Sequence, residues 1–371
     1  MKIEAIELRQ LEIPMVEPLA AAHGITHNRL TVLVHVITDI GEGWGECVAL
    51  NEPTYSSDYS NGEYNVMREI FGPELLALEN LNTESAITTL AHYRGHNPAK
   101  AAIELALLDA ELRAKSISYK QHLGVTEDEV ECCVVLGLSS SDVLLRLAEE
   151  KVANGYRHVK LKVQPGHDVE RIKLLQEHFP ALSIRVDGNG SYDVSNTEHR
   201  NALVAMDALG IEMIEQPSSD SNYLDAVELR TFMRTKVAID EAITSYMRGA
   251  TILALNICDV MVIKPGMIGG YDDARKLYEA CVAAGVETAF GGMVETGLAS
   301  SANLALAGLP GFSHPAEIAP DGRWFAERVN KEPIRLVDGK IAIPDRPGLG
   351  VTIDYGVVNK LTRRMHVLRR S

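Results

Sequence analysis

The sequence has no apolar run approaching the roughly 18 residues needed to cross a bilayer. Its opening, Met1-Lys2-Ile3-Glu4-Ala5-Ile6-Glu7, alternates like a strand instead of forming the apolar centre of a signal peptide. No membrane partner is expected, and the cytoplasm is the expected location. Cysteine is scarce. Cys47, Cys132, Cys133, Cys258 and Cys281 are scattered and lack CxxC spacing, which argues against a disulfide framework or a zinc site and leaves buried reduced thiols. Positive charge is also in deficit: the net charge is −15, with no basic cluster to offset it. Nucleic acid and anionic lipid are therefore not expected partners. The short basic end, Arg363-Arg364 and Arg369-Arg370, reads as a solvated tail. A phosphate fingerprint is missing too, since Gly41-Glu42-Gly43-Trp44-Gly45 is not a GxGxxG between strand and helix, and no GxxxxGK[ST] occurs.

What is present is the composition of a folded protein, 46% hydrophobic and 23% charged over 371 residues. That length is enough for two domains at about 150 residues each. Residues 1–60 read as strands: Ile3 to Leu8 alternates, and Leu30 to Val36 is rich in β-branched residues ahead of a glycine turn. From about Asn61 to Lys115 the apolar residues recur at helical spacing, as in Ala101, Ile103, Ala106, Leu107, Ala110 and Leu112. Strands followed by helices predict an α+β domain over 1–128.

Beyond residue 128 short apolar runs alternate with amphipathic stretches. The runs are Cys132–Leu138, His158–Val163, Ser183–Asp187, Glu212–Glu215, Val237–Asp240, Asp259–Ile263 and Glu287–Phe290. Helices are expected near 140–154, 168–179, 197–209, 222–234, 243–255, 271–285 and 297–308. Such repetition predicts a parallel α/β barrel over 129–319 rather than a doubly wound sheet. The tail 320–371, with short strands around Asp338-Gly339, is expected to return to the N-terminal domain.

Polar residues fall at the ends of these strands. Lys160 and Lys162 lie at period two on one strand and so aim at the same space. Then come Asp187-Gly188-Asn189, Glu215-Gln216-Pro217, Asp240-Glu241 and Lys264-Pro265-Gly266. The C-terminal ends of barrel strands form the mouth where enzymes of this architecture work. Asp187, Glu215 and Asp240 would repel one another without a hard cation between them, and oxygen ligands favour Mg²⁺, with Mn²⁺ a substitute. Such a cation stabilises the enediolate formed when the carbon next to a carboxylate loses its proton. Lys162 or Lys264 is the candidate base, with a pKa lowered toward about 7–8. Glu295, after the next strand, is expected to line the same mouth. Read singly, each element has a plainer explanation as a solvated pair, a helix cap or a turn; the ordered series across consecutive units points to a site.

With these motifs, and with Gly43-Trp44-Gly45-Glu46-Cys47, Tyr55-Ser56-Ser57 and Gly292-Met293-Val294-Glu295-Thr296-Gly297, the chain resembles the enolase superfamily. Within it, the chain is similar to the o-succinylbenzoate synthase/N-acylamino acid racemase family of the muconate-lactonizing subgroup. The resemblance implies a modified TIM barrel, (β/α)7β, capped by the α+β domain. It also implies Asp187, Glu215 and Asp240 as Mg²⁺ ligands, Lys162 as base, Lys160 as its electrostatic support and Lys264 as the opposing lysine. Asn189 and Glu241 would orient the ligands. Leu19 and His23, in the loop Pro18–Gly24, and Met267, Gly292, Met293 and Glu295 would contact a small carboxylate substrate. Leu19 and Ala20 stand where Phe-Arg is frequent in that family, and Met267 stands where racemising members tend to carry Arg. Dehydration to o-succinylbenzoate, a step of menaquinone synthesis, ranks first among the implied reactions. N-acylamino acid racemisation is second, cycloisomerisation or dipeptide epimerisation third, and a non-catalytic binding barrel last. A homo-oligomer is expected.

Overall fold

The first strand, β1 (Ile3–Ala21), forms a long hairpin with β2 (Gly24–Thr38), and β3 (Gly41–Cys47) continues the antiparallel sheet. The computed structural model describes residues 1–21 and 24–370. One face of this sheet is covered by the helix Asn97–Ala114, whose Ala99, Ala102, Ala106 and Ala110 are buried. The close approach explains the glycines of β3: a Cβ on Gly45 would sit 2.0 Å from the Ala102 carbonyl oxygen, and one on Gly43 2.2 Å from that of Ala106. The Gly41–Gly45 motif is thus a helix–strand contact surface.

After β4 (Glu129–Glu131) come β5 (Cys133–Leu136), β6 (His158–Lys162), β7 (Ser183–Asp187), β8 (Met213–Glu215), β9 (Lys236–Ile239), β10 (Val260–Ile263) and β11 (Glu287–Phe290). They form one parallel sheet in sequence order. The helices between them fall within a few residues of their expected positions, from Ser141–Ala153 to Gly297–Ala307. Strand alternation sorts the side chains. Val159, Leu161, Ile184, Val186, Ile214 and Ile239 belong to the large core under the helices, whereas Met213, Ala238, Val260, Val262 and Ala289 form a separate small cluster. Lys160, Lys162, Arg185 and Asp187 share the phase of that second set, which faces the barrel axis.

Residues 312–317 close the barrel. Phe312 bridges Thr288 and Ala316 bridges Cys132, both in parallel, while Glu317 N donates to Phe290 O at 3.0 Å. This irregular eighth stave supplies the final β of (β/α)7β. His314 on it reaches Glu212 Oε1 and Glu287 Oε2, each at 2.7 Å. Burial works against ionisation of Glu212, but the hydrogen bonds from His314 and Ser183 and the charge of Arg185 outweigh it and hold the carboxyl at about 2, below its ordinary 4.5. A depressed folded pKa gives stability that is complete above the unfolded value and is lost as pH falls from about 4.5 to about 2. Glu212→Gln is therefore expected to flatten the acid limb of stability, read as urea midpoints from pH 5 to pH 2. A limb as steep as that of wild type would contradict the assignment.

β12 (Leu336–Val337) and β13 (Lys340–Ala342) flank Asp338-Gly339 and pair with each other, and β13 pairs in turn with β4 at the foot of the barrel. The basic end is not a solvated tail: β14 (Thr362–Arg369) pairs antiparallel with β1, setting Arg369 opposite Ala5. Its guanidinium groups find partners, with Arg364 lying 3.8 Å from the Tyr64 ring centroid and Arg370 donating to Leu78 O at 2.8 Å. The five cysteines are free and buried. Among the described residues, no helix is long and apolar enough to cross a membrane.

Candidate active site

Parallel pairing sets Lys162 beside Asp187 and Asp187 beside Glu215 on consecutive strands. The backbone then turns sharply after each strand. Asn189 and Gln216 take positive φ of 42° and 34°, which sends the chain into the following loop while leaving the preceding carboxylate at the mouth. Gln216 also returns a side-chain oxygen to the Asp240 backbone N–H at 3.0 Å, tying the turn after Glu215 to the one that carries Asp240.

The charged groups converge. Oxygen atoms of Asp187, Glu215 and Asp240 lie within 4.8 Å of one another, and all three residues are buried. Lys160 Nζ reaches Asp187 at 3.0 Å, Glu215 at 2.9 Å and Glu317 at 2.5 Å. Lys162 Nζ donates to Asp187 Oδ2 at 2.7 Å and Asn189 Oδ1 at 2.9 Å. From the other side of the barrel, Lys264 Nζ donates to Asp240 Oδ2 at 2.5 Å and Tyr55 OH at 2.7 Å. Asn189 Nδ2 in turn donates to Glu241 Oε1 at 2.7 Å, fixing the amide that faces Lys162.

Burial opposes ionisation of Asp187, yet Lys162 and Lys160 outweigh it and hold that carboxyl well below the usual range. Burial carries Glu215 the other way, well above its ordinary value, with Lys160 only partly compensating. Glu241 is pushed up to about 8 by burial and the neighbouring Asp240 and Asp187. The lowering expected of a base does not apply to Lys264. Burial lowers its pKa, but Asp240, Glu215 and Glu241 more than reverse this and keep the amine charged.

Glu215 Oε2 is buried without a hydrogen-bond partner. An orphaned oxygen on a carboxylate grouped with two others is what a divalent cation would satisfy, and an all-oxygen donor set suits Mg²⁺ or Mn²⁺. The residues present therefore fit such an ion.

In front of the charges lies a cavity walled by Met15, Leu19, Leu50, Val135, Met293 and Trp324, with Lys160, Lys162 and Lys264 on its floor. Leu19, Gly292, Met293 and Glu295 are among the residues that line it. Gly292 permits the closure, because a Cβ there would stand 2.3 Å from the Glu317 carbonyl oxygen. Glu295 is pushed up to about 7 by burial and accepts from Asn303 Nδ2 at 3.1 Å. It does not cap the helix Gly297–Ala307; Thr296 does, helped by Glu46, which accepts from the Thr296 and Ala299 backbone N–H groups. Met267 lies outside the cavity lining, buried against Val48 and Met293. His23 falls outside the described residues.

Residues 143–357 match the family model described as enolase C-terminal domain-like, and residues 5–124 match the N-terminal domain of mandelate racemase / muconate lactonizing enzyme. The chain belongs to the enolase superfamily. It is 37% identical to an N-succinylamino acid racemase of Amycolatopsis sp. over 353 residues, 95% of each chain. It is 31% identical to the o-succinylbenzoate synthase of Bacillus subtilis (strain 168), over 99% of this chain and 98% of the other. A solved structure of an enolase-superfamily member from Listeria innocua superposes with a TM-score of 0.94 at 28% identity, covering both chains completely. The protein is thus an enzyme of this superfamily, whose members use a divalent metal.

Sequence reasoning missed several parts of the site. Arg185 was legible in principle, sitting at period two from Asp187 on β7; its guanidinium donates to Glu317 Oε1 at 2.9 Å. Glu317 was not, since the eighth stave His314-Pro315-Ala316 carries no strand pattern. Tyr55 stood inside a motif of the resemblance, and nothing in the sequence directs its hydroxyl to Lys264. Arg29, fully buried, donates to the carbonyls of Val48 and Ala49 and so fastens the loop that carries Tyr55.

Proposed function

We propose that the protein removes the proton from the carbon next to a substrate carboxylate, with Lys162 as base and Lys264 facing it. The observation that carries this reading is that both amines stand on the floor of one cavity, hydrogen-bonded to different members of a single carboxylate triad. A divalent cation held by Asp187, Glu215 and Asp240, Mg²⁺ or in its place Mn²⁺, would supply positive charge for the electrons left on the substrate carboxylate. Lys160, locked against Asp187, Glu215 and Glu317, holds the triad in place. Asn189 and Glu241 orient Lys162 and the triad from outside. Leu19, Met293 and the surrounding apolar wall exclude water from the reacting carbon and receive the remainder of the substrate. The chain works as a homo-oligomer in the cytoplasm in this reading.

Dehydration to o-succinylbenzoate comes first. Lys162 takes the α-proton of the cyclohexadiene carboxylate and returns it to the departing hydroxyl, which leaves as water, so a single base suffices. Lys264, kept charged by its carboxylate neighbours, suits a fixed cation on the opposite side. Racemisation of N-acylamino acids is a second reading. It is favoured by the placement of Lys264 where it could return a proton to the other face, and by the 37% identical Amycolatopsis relative. A panel of the cyclohexadiene carboxylate, N-succinylamino acids and dipeptides, followed by absorbance and polarimetry, tests both. The expected result is loss of the diene absorbance with the first compound; turnover of dipeptides alone would overturn both readings.

A further inference from the structure

Tyr55 is brought to the site by the capping segment, in the loop between β3 and the helix that starts at Ser60. That loop is unusually well fastened. Arg29 spends its guanidinium on the Val48 and Ala49 carbonyls, Asn51 Nδ2 donates to Asn28 O at 2.7 Å, and Ser60 N donates to Leu50 O at 2.8 Å. On the barrel side, Val48 packs where a Cβ on Gly266 would stand, only 2.3 Å from Val48 Cγ2. The loop is therefore seated directly on the turn that follows Lys264.

The Tyr55 hydroxyl joins this seat to the chemistry. It accepts from Lys264 Nζ at 2.7 Å and donates to Asp240 Oδ2 at 3.0 Å, and the amine also lies 4.9 Å from the ring centroid. Lysine carries a compact charge on a flexible stem, so an amine that must meet a reacting carbon gains from being held. With one hydrogen on Asp240 and one on Tyr55, the remaining N–H has its direction set by the other two.

We infer that Tyr55 is a positioning residue that acts through Lys264, so that the seat of the capping loop on the barrel sets the aim of the opposing amine. The inference rests on the proposed α-proton chemistry and adds to it the group that sets Lys264. A Tyr55 that merely shaped the pocket would instead affect substrate affinity and act independently of Lys264.

A double-mutant cycle separates these possibilities, using whichever compound of the panel is turned over. In wild type, Tyr55→Phe is expected to lower kcat about 10- to 100-fold with KM changed less than about threefold. In the Lys264→Ala background the same change is expected to alter kcat by less than about twofold. Equal losses in both backgrounds, or a loss confined to KM, would overturn the inference while leaving the proposed reaction intact. With N-acylamino acid enantiomers in D₂O, Tyr55→Phe is expected to slow α-hydrogen exchange on the Lys264 side more than on the Lys162 side; equal slowing would count against it. If no compound is turned over by wild type, the proposed reaction fails, and the cycle read in urea unfolding then decides the link: additive effects of Tyr55→Phe and Lys264→Ala would overturn it. Tyr55→Leu, which removes the ring as well, is expected to match Tyr55→Phe or exceed it in the wild-type background, and wild-type kcat in either variant would contradict the role.

Discussion

Lys162→Ala is expected to eliminate exchange of the substrate α-hydrogen with solvent deuterium and to lower kcat by about 10²- to 10⁴-fold, the range a positioned general base contributes. The expectation follows from the placement of this amine. Lys162 sits at the end of β6, and among the described residues its amine is held by the side chains of Asp187 and Asn189, so its aim is fixed toward the cavity it lines. Lys160, two residues earlier, is committed to three carboxylates and lies deeper. Lys160→Met should therefore weaken the triad without abolishing exchange. NMR of the α-proton in D₂O checks both variants, and undiminished exchange in Lys162→Ala would remove this residue from its role.

The second large effect concerns the metal. Protein treated with chelator is expected to lose turnover to background and to regain it with Mg²⁺ or Mn²⁺. The carboxylates of Asp187, Glu215 and Asp240 are buried together, and the lysines paired with them still leave Glu215 Oε2 without a partner, which is costly. Binding should thus also stabilise the fold, by about 2.7 kcal/mol when the ion is present at about 100 times its Kd, seen as a raised thermal midpoint. Glu215→Gln keeps the shape and removes the charge that carries the orphaned oxygen, so the midpoint should no longer respond to the ion. A Glu215→Gln protein that responds as wild type does would place the ion elsewhere.

Much of this arrangement was readable from the chain because two periodicities coincide in it. The buried parallel strands are short β-branched runs, and the departures from apolar character, at Lys160, Lys162, Asp187, Glu215, Asp240 and Lys264, fall at their C-terminal ends, so strand position and charge carry the same message. What was not legible depends on contacts with no local signature. β14 pairs through its backbone at the outer edge of β1, and its arginines are those of any exposed segment. The eighth stave holds its place through single bridges on either side, and the proline within it argues against a strand. Tyr55 meets Lys264 across 209 positions of sequence. Met267, which the family resemblance implied as a substrate contact, stands on the short helix Pro265–Ile268 and is buried in a cluster with Val48 and Met293.

The capping segment and barrel also share their helix termini. Glu104 from the helix Asn97–Ala114 accepts from the Tyr271 and Asp272 backbone N–H groups, and Glu46 from β3 serves the helix Gly297–Ala307 in the same way. Each satisfies backbone donors that a helix cannot satisfy for itself. The two parts therefore hold each other in register around the cavity, which keeps the Tyr55 loop over the mouth.

Diffraction from crystals soaked in Mn²⁺, with the anomalous signal of the metal, examines the central arrangement most directly. The expected map has one strong peak enclosed by carboxylate oxygens of Asp187, Glu215 and Asp240, with the Lys162 and Lys264 amines on opposite sides of the cavity it faces. A map with no peak there, or with the metal held by other side chains, would contradict the account.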